Sequence, residues 1–114
     1  MRITNSTKNT ILAKKAVIAD TLFTRAKGLL GRASLEEGNA LILKPCNSVH
    51  TFFMRFAIDV LFVNNKNRVI KTLSNLKPFR FSPLCYNAAL AIEVPAGTIQ
   101  ESRTIAGDIL TFKD

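Results

Sequence analysis

The chain has 114 residues, of which 47% are hydrophobic and 21% charged, and its formal net charge is +8. This length supports one hydrophobic core but not two, and the balanced composition excludes a disordered chain. No acidic residue occurs between Asp59 and Glu93, an interval with five of the basic residues: Lys66, Arg68, Lys71, Lys77 and Arg80. We expect a single domain over residues 1–114. Its basic surface is either an ordinary solvated face or a weak binding site for nucleic acid through these five residues.

The N-terminal segment does not have the pattern of a secretory signal, and the apolar stretch "ILAKKAVIA" is too short to span a bilayer. We therefore expect a cytoplasmic protein with no membrane span. Cys46 and Cys85 are not spaced as CxxC, and a single histidine cannot complete a zinc set with them. The sequence thus predicts no metal site and no cofactor, and two reduced thiols are favoured over a disulfide.

The first half of the chain predicts one strand followed by one helix. "ILAKKAVIA" (residues 11–19) is typical of a strand. Asp20 is expected to cap a helix whose apolar positions recur at helical spacing and which ends at Gly31. These apolar positions are Leu22, Phe23, Ala26, Leu29 and Leu30. Ser34 and Glu37 have the spacing of a capping box and predict one more short turn.

The second half predicts strands. The candidates are "ALILK", "VHTFFMR", "AIDVLFV", "RVIKTLSNL", "AALAIEV" and "DILTF". "NNKN" has the turn chemistry to join the third and fourth of these segments into a hairpin. One early helix and many short strands indicate a mainly β fold. We expect a single-domain β-sandwich or a partly closed barrel with one short helix in the N-terminal half.

Four segments together resemble a known family. "RAKGLLGR", "HTFFMRFAIDVLFV", "RVIKTLSNLKP" and "AIEVPAGTI…GD" follow one another as in the family called domain of unknown function 192. The resemblance covers about residues 11–112. It implies a mostly β, sandwich-like domain with a short helix, of a kind found in prokaryotes, and it implies no particular activity.

The segment "HTFFMRFAIDV" contains the two most informative polar residues. His50 is the only histidine, and an imidazole changes charge near neutral pH, so it could act as a base or bind a ligand. Asp59 lies in an apolar run, where a buried carboxylate needs donors. If "VHTFFMR" and "AIDVLFV" are neighbouring strands, the two side chains meet. Otherwise His50 is satisfied by a backbone carbonyl and Asp59 holds neighbouring loops together.

Other residues extend this candidate site. Glu93 is a second acid within an apolar strand. It could pair with Asp59 as a carboxylate site, or be balanced by Arg55 or Arg25. Arg55 could instead anchor an anionic ligand. The phenylalanines of this region, which are Phe52, Phe53, Phe56 and Phe62, are expected in the core rather than on an exposed stacking surface.

Three functional hypotheses follow. The leading one is a non-catalytic module that binds a small anionic or polar ligand, or a partner, through Cys46, Asn47, His50, Thr51, Arg55, Asp59 and Glu93. The alternative is a small hydrolase or transferase that uses His50 with Asp59 and Cys46 as nucleophile, although no nucleophile-elbow motif supports it. The third is nucleic-acid association through the basic surface.

Overall fold

The computed structural model describes the backbone of residues 1–114 and every side chain except that of Phe23, so this predicted helix position lies outside the described side chains. The chain forms, in order, β1 (Arg2–Asn5), β2 (Thr10–Ala13), β3 (Lys15–Ala19), α1 (Leu22–Lys27), β4 (Asn39–Leu43), β5 (Ile58–Val63), β6 (Val69–Leu76), β7 (Leu90–Pro95), α2 (Thr98–Ser102) and β8 (Leu110–Lys113). Within the described chain, neither helix is long and apolar enough to cross a membrane.

The strands form two sheets. One has three strands in the order β2-β1-β8, and the other has five in the order β3-β4-β7-β5-β6. β3 and β4 are parallel, whereas the other pairings are antiparallel. The predicted mainly β fold is confirmed. The two sheets form a sandwich and do not close into a barrel.

The five-stranded sheet has an apolar core on each face. Leu61 and Ile92 belong to the core between the two sheets. Val60 and Phe62 belong to the core on the opposite face, which we call the outer face and the outer core. This core also contains Leu29, Val49 and Met54 from the segments that cover it. Because successive side chains of a strand point to opposite faces, each residue of β5 and β7 is assigned to one side of this sheet by its position alone.

Several local predictions differ from the structure in the first half of the chain. The strand expected at residues 11–19 is two strands, because the amides of Lys14 and Lys15 both donate to the Gly38 carbonyl where the chain changes sheet. The cap of α1 is Thr21, not Asp20. Thr21 accepts from the Thr24 amide in a reciprocal capping box, and the helix ends before Gly28. Residues 34–37 form no helix, and β1 and α2 were not predicted.

The segment "VHTFFMR" is not a strand. It pairs with the rest of the chain through a single bridge between His50 and Phe81, and Phe53 has a φ of 63°, which ends any extended run. The prediction that this segment is a strand was wrong, and the condition under which His50 and Asp59 would meet is not fulfilled. By contrast, the hairpin of β5 and β6 and the strands β7 and β8 are confirmed.

Candidate functional site

Asp59 is a structural carboxylate. It is 1% exposed, and its Oδ1 accepts from the Asn75 amide at 2.8 Å. Its Oδ2 accepts from the amides of Gly97 and Ile99, each at 3.0 Å. Gly97 is the N-cap of α2 and has no side chain to cap it, so Asp59 supplies that acceptor from another strand. Asp59 therefore holds β5, β6 and α2 together.

His50 and Asp59 do not meet. Asp59 alternates with Ile58 and Val60, which belong to the outer core, so its side chain points to the α2 side of the sheet. His50 is exposed and lies with the outer-face segments. Its Nδ1 accepts from the Phe52 amide at 3.3 Å. Neither ring nitrogen of His50 lies within 4.0 Å of an oxygen of a described carboxylate. Of the two alternatives for Asp59, the pairing with His50 does not form, because residues 49–55 are not a strand beside β5, and the carboxylate instead holds neighbouring segments together.

Thr51 and Arg55 do not form a common site with Asp59. Thr51 is fully buried, and its hydroxyl donates to the Lys77 carbonyl at 2.5 Å and accepts from the Arg80 amide at 3.0 Å. It therefore fastens the loop of residues 77–80. Arg55 is exposed and forms no ion pair within the described part of the chain.

A cleft on the outer face brings four of the predicted residues together. It has a volume of about 320 Å³, near the lower end of typical ligand sites, and lies between α1, the segment of residues 43–50 and β7. The predicted residues in its lining are Cys46, Asn47, His50 and Glu93. Its apolar lining consists mainly of Leu22, Leu29, Leu30, Leu43, Val49 and Met54.

Glu93 is the buried acid of this cleft. It is 3% exposed and pairs in register with Leu41 and Val60, which both belong to the outer core, so its side chain points to that face. Among the described side chains no basic group forms an ion pair with it. Burial raises the pKa of Glu93 to about 7. A buried carboxyl without an ion-pair partner can bind a polar group that enters the cleft.

The wall opposite Glu93 is the C-terminal end of α1. A Cβ on Gly28 would lie 3.9 Å from the Glu93 Oε1, and Gly28 has a φ of 47°. Arg25 spans the cleft entrance. Its Nε donates to the Thr21 carbonyl at 3.3 Å and its Nη1 to the Pro45 carbonyl at 3.2 Å. The Arg25 guanidinium is therefore bound to backbone carbonyls and forms no ion pair with Glu93.

Cys46 does not have the features of an activated nucleophile. Burial raises the pKa of its thiol; the hydrogen bond to Ser48 lowers it, nearby Glu93 raises it and Arg25 lowers it, with a net rise. The Sγ donates to the Ser48 carbonyl at 3.0 Å. A thiol whose pKa is raised and whose proton is donated in a hydrogen bond is a poor nucleophile at neutral pH. Cys46 and Cys85 are both free thiols.

The five basic residues do not form one patch. Lys66 and Arg68 lie at the β5–β6 turn, where Arg68 donates to the Gly107 carbonyl at 2.7 Å. Lys77 and Arg80 follow the other end of β6, about 25 Å away along eight extended residues.

Sequence reasoning missed part of this cleft. Leu29 and Leu30 were assigned only to a helix face, although both line the cleft, as does Gly28. Arg25 was considered only as a possible counter-charge for Glu93. Two features of the sequence together could have indicated the cleft: the acid within the otherwise apolar strand β7 and the glycine that ends α1.

The fold and cleft define a small two-sheet β domain with one buried acid under a short helix. A family model described as "Uncharacterized ACR", DUF192, matches residues 2–112. The chain belongs to this family, as its sequence motifs indicated.

The relatives span most of the chain. A UPF0127 protein of Thermococcus sibiricus is 32% identical over 96% of this chain and 73% of its own length. UPF0127 protein PH1112 of Pyrococcus horikoshii is 33% identical over 93% of this chain and 94% of its own. Neither name states an activity.

Two solved structures share the fold. A protein of unknown function from Novosphingobium aromaticivorans has a TM-score of 0.83 and 20% identity, over 97% of this chain and 82% of its own. A putative transcription regulator from Sinorhizobium meliloti has a TM-score of 0.79 and 17% identity, over 96% of this chain and 89% of its own. At these identities the likeness concerns the fold alone.

Proposed function

We propose that the chain is a non-catalytic binding domain whose cleft takes a compact apolar ligand with a hydrogen-bond-donating or cationic nitrogen. The observation that carries this proposal is the carboxyl of Glu93, which is 97% buried and has no ion-pair partner among the described residues. Leaving such a group without a partner costs free energy that a donor from a ligand would recover.

The position of its oxygens supports this role. Among the described side chains, every polar atom that is fully buried has a hydrogen-bond partner. An oxygen of Glu93 without such a partner is therefore not fully buried and is reached from the cleft. The carboxyl of Glu93 lines the cleft, so a molecule entering the cleft can reach it. The apolar side chains of Leu29, Leu43 and Met54 offer contacts for the body of that molecule.

This ligand chemistry keeps the polar ligand expected from the sequence and departs from the anionic one. A ligand carboxylate or phosphate would meet a second negative charge at Glu93, whereas an amine would favour the ionised form of this carboxyl. The proposed ligand-binding residues are Cys46, Asn47, His50 and Glu93, with the apolar lining, whereas the Arg25 guanidinium donates to backbone carbonyls. Thr51, Arg55 and Asp59 have other contacts and are left out of the proposed site.

The other hypotheses receive less support. A hydrolase or transferase would need His50 beside Asp59 and a reactive Cys46, and neither condition matches the described geometry. A continuous nucleic-acid surface would need the five basic residues together, whereas the length of β6 separates Lys66 and Arg68 from Lys77 and Arg80. The cytoplasmic setting stays a prediction, supported by the two free thiols.

The experiment compares three probes of similar shape: benzylamine, benzyl alcohol and benzoate. We expect benzylamine to raise the melting temperature most at pH 7, and Glu93→Gln to abolish its advantage over benzyl alcohol. Glu101→Gln, an exposed acid of α2, is the matched control and should behave as wild type.

NMR chemical shifts locate the probe. With benzylamine we expect shifts at Gly28, Leu43 and Met54 and none at Ile105 on the far surface. Equal responses to the three probes, or an amine response that survives in Glu93→Gln, would refute the proposal.

A further inference from the structure

Five aromatic rings form an exposed cluster beside the cleft, on the loops of residues 50–53 and 79–81. Phe53 is 75%, Phe79 54% and Phe81 73% exposed, contrary to the expectation that the phenylalanines of the first loop are all in the core. Phe62 is fully buried, as expected. The rings of Phe53 and Phe79 are 5.8 Å apart, and those of Phe52 and Phe81 are 4.7 Å apart. We call the surface of His50, Phe52, Phe53, Phe79 and Phe81 the aromatic surface.

The backbone is strained at two of these aromatic residues. Phe53 has a φ of 63° and Phe79 a φ of 62°, a left-handed conformation that bulky residues rarely adopt. Thr51 fixes both loops, because its carbonyl accepts from the amides of Met54 at 3.2 Å and Phe79 at 3.0 Å. Strained residues that expose large apolar side chains and are held by a buried anchor are typical of functional surfaces.

Basic residues flank the aromatic residues of both loops in the sequence. Arg55, Lys77 and Arg80 are exposed, and none of them forms an ion pair within the described part of the chain. The chain has no acidic residue from position 60 to position 92, so no carboxylate of that interval opposes them. Exposed aromatic rings with adjacent cations suit a partner that is apolar inside and negatively charged at its surface.

We propose that the aromatic surface docks on an anionic lipid bilayer, with Phe53, Phe79 and Phe81 entering the headgroup region and Arg55, Lys77 and Arg80 contacting lipid phosphates. This partner fits better than single-stranded nucleic acid. The ring planes of the contacting phenylalanine pairs are inclined to each other by 70° to 75°. Their faces are therefore not aligned for successive bases to stack on them.

The primary test is co-sedimentation with vesicles of phosphatidylcholine alone and of an equimolar mixture with phosphatidylglycerol. We expect binding to the mixed vesicles only, with a dependence on salt. Phe53→Ser combined with Phe79→Ser should weaken the binding about a hundredfold, because the bilayer then buries neither of the two apolar rings. Lys77→Glu with Arg80→Glu should remove the preference for the anionic lipid.

Matched controls separate docking from a general loss of charge or apolar surface. Ile105→Ser removes an apolar side chain that is 59% exposed elsewhere, and Lys14→Glu with Lys66→Glu reverses two exposed charges outside the aromatic surface. Both should bind as wild type. The chain contains no tryptophan, so Phe53→Trp provides a single indole, whose emission should shift to the blue on the mixed vesicles while that of Ile105→Trp does not.

Three outcomes would overturn the inference: no binding to the mixed vesicles, equal binding to both vesicles, or loss of binding in the controls. Salt-dependent binding of single-stranded polyuridine that Phe53→Ser with Phe79→Ser removes, without vesicle binding, would assign the surface to nucleic acid instead. The test does not involve Glu93, so its failure is distinguishable from failure of the proposed cleft function.

Discussion

The two faces of the five-stranded sheet each bury one carboxylate, and they treat it in opposite ways. On the α2 side Asp59 accepts three backbone amides. On the α1 side Glu93 has no ion-pair partner among the described side chains and lines an open cleft. Equal burial therefore does not mean equal function. Full satisfaction by the backbone marks a structural residue, and an unpartnered group beside open space marks a candidate site.

The largest expected effect tests the Asp59 side. Asp59→Asn keeps the shape but puts an NH2 donor against amide donors, so we expect the free energy of unfolding to fall by about 3 kcal/mol. Urea denaturation measures this change, and Asp20→Asn, at an exposed acid, is the control. Faster hydrogen exchange at Gly97 and Ile99 should accompany the loss. A change below about 0.5 kcal/mol would show that the three hydrogen bonds do not stabilise the fold.

The next effect tests the Glu93 side. The pKa of Glu93 is about 7 in the folded chain against 4.5 for an ordinary glutamate, so between these values only the folded chain holds the proton. The free energy of unfolding of the wild type should therefore fall as pH rises from about 4.5 to 7, by an amount of the order of 3 kcal/mol. Glu93→Gln removes this proton and should flatten the slope.

The comparison is sharpest at pH 8, where Glu93→Gln should be more stable than wild type, while the two proteins should be similar near pH 5. Denaturation at a series of pH values measures the difference, and Glu101→Gln should retain the wild-type slope. A Glu93→Gln protein with that same slope would mean that the buried carboxyl does not titrate in this range.

The smallest effect concerns His50. His50→Ala should change the free energy of unfolding by less than about 0.5 kcal/mol, because the side chain is exposed and accepts one hydrogen bond at 3.3 Å. Thermal denaturation checks this expectation, with Asn47→Ala, another exposed residue of the cleft, as a comparison. A loss as large as that in Asp59→Asn would indicate that His50 and Asp59 share a network after all.

Much of the fold could be predicted from the sequence, because alternation and turn chemistry are local signals. β5, β6, β7 and β8 follow apolar runs bounded by turn residues. α2 was not predicted, because its five residues carry no side-chain cap of their own and its first amides bind an acceptor from β5. Such a long-range cap leaves no trace in the neighbouring sequence.

The candidate site could be predicted only in part. Cys46, Asn47, His50 and Glu93 were identified and line one cleft, since acids within apolar strands and polar residues beside a proline are visible in a sequence. Asp59 gave the same signal as Glu93. Which of the two would find donors depended on the φ values of Asn75 and Gly97 and on the side of the sheet that each faces, and both follow from tertiary packing.

The pairing of β1 with β8 bears on how the molecule assembles. Arg2 is opposite Lys113 and Asn5 is opposite Leu110, so the central strand of the smaller sheet gains its second neighbour only after more than a hundred intervening residues have been made. During synthesis one edge of β1 stays open until β8 is made, and pairings between such distant segments generally favour slow folding and exposure to aggregation. A fragment that stops before residue 110 would retain that exposed edge permanently.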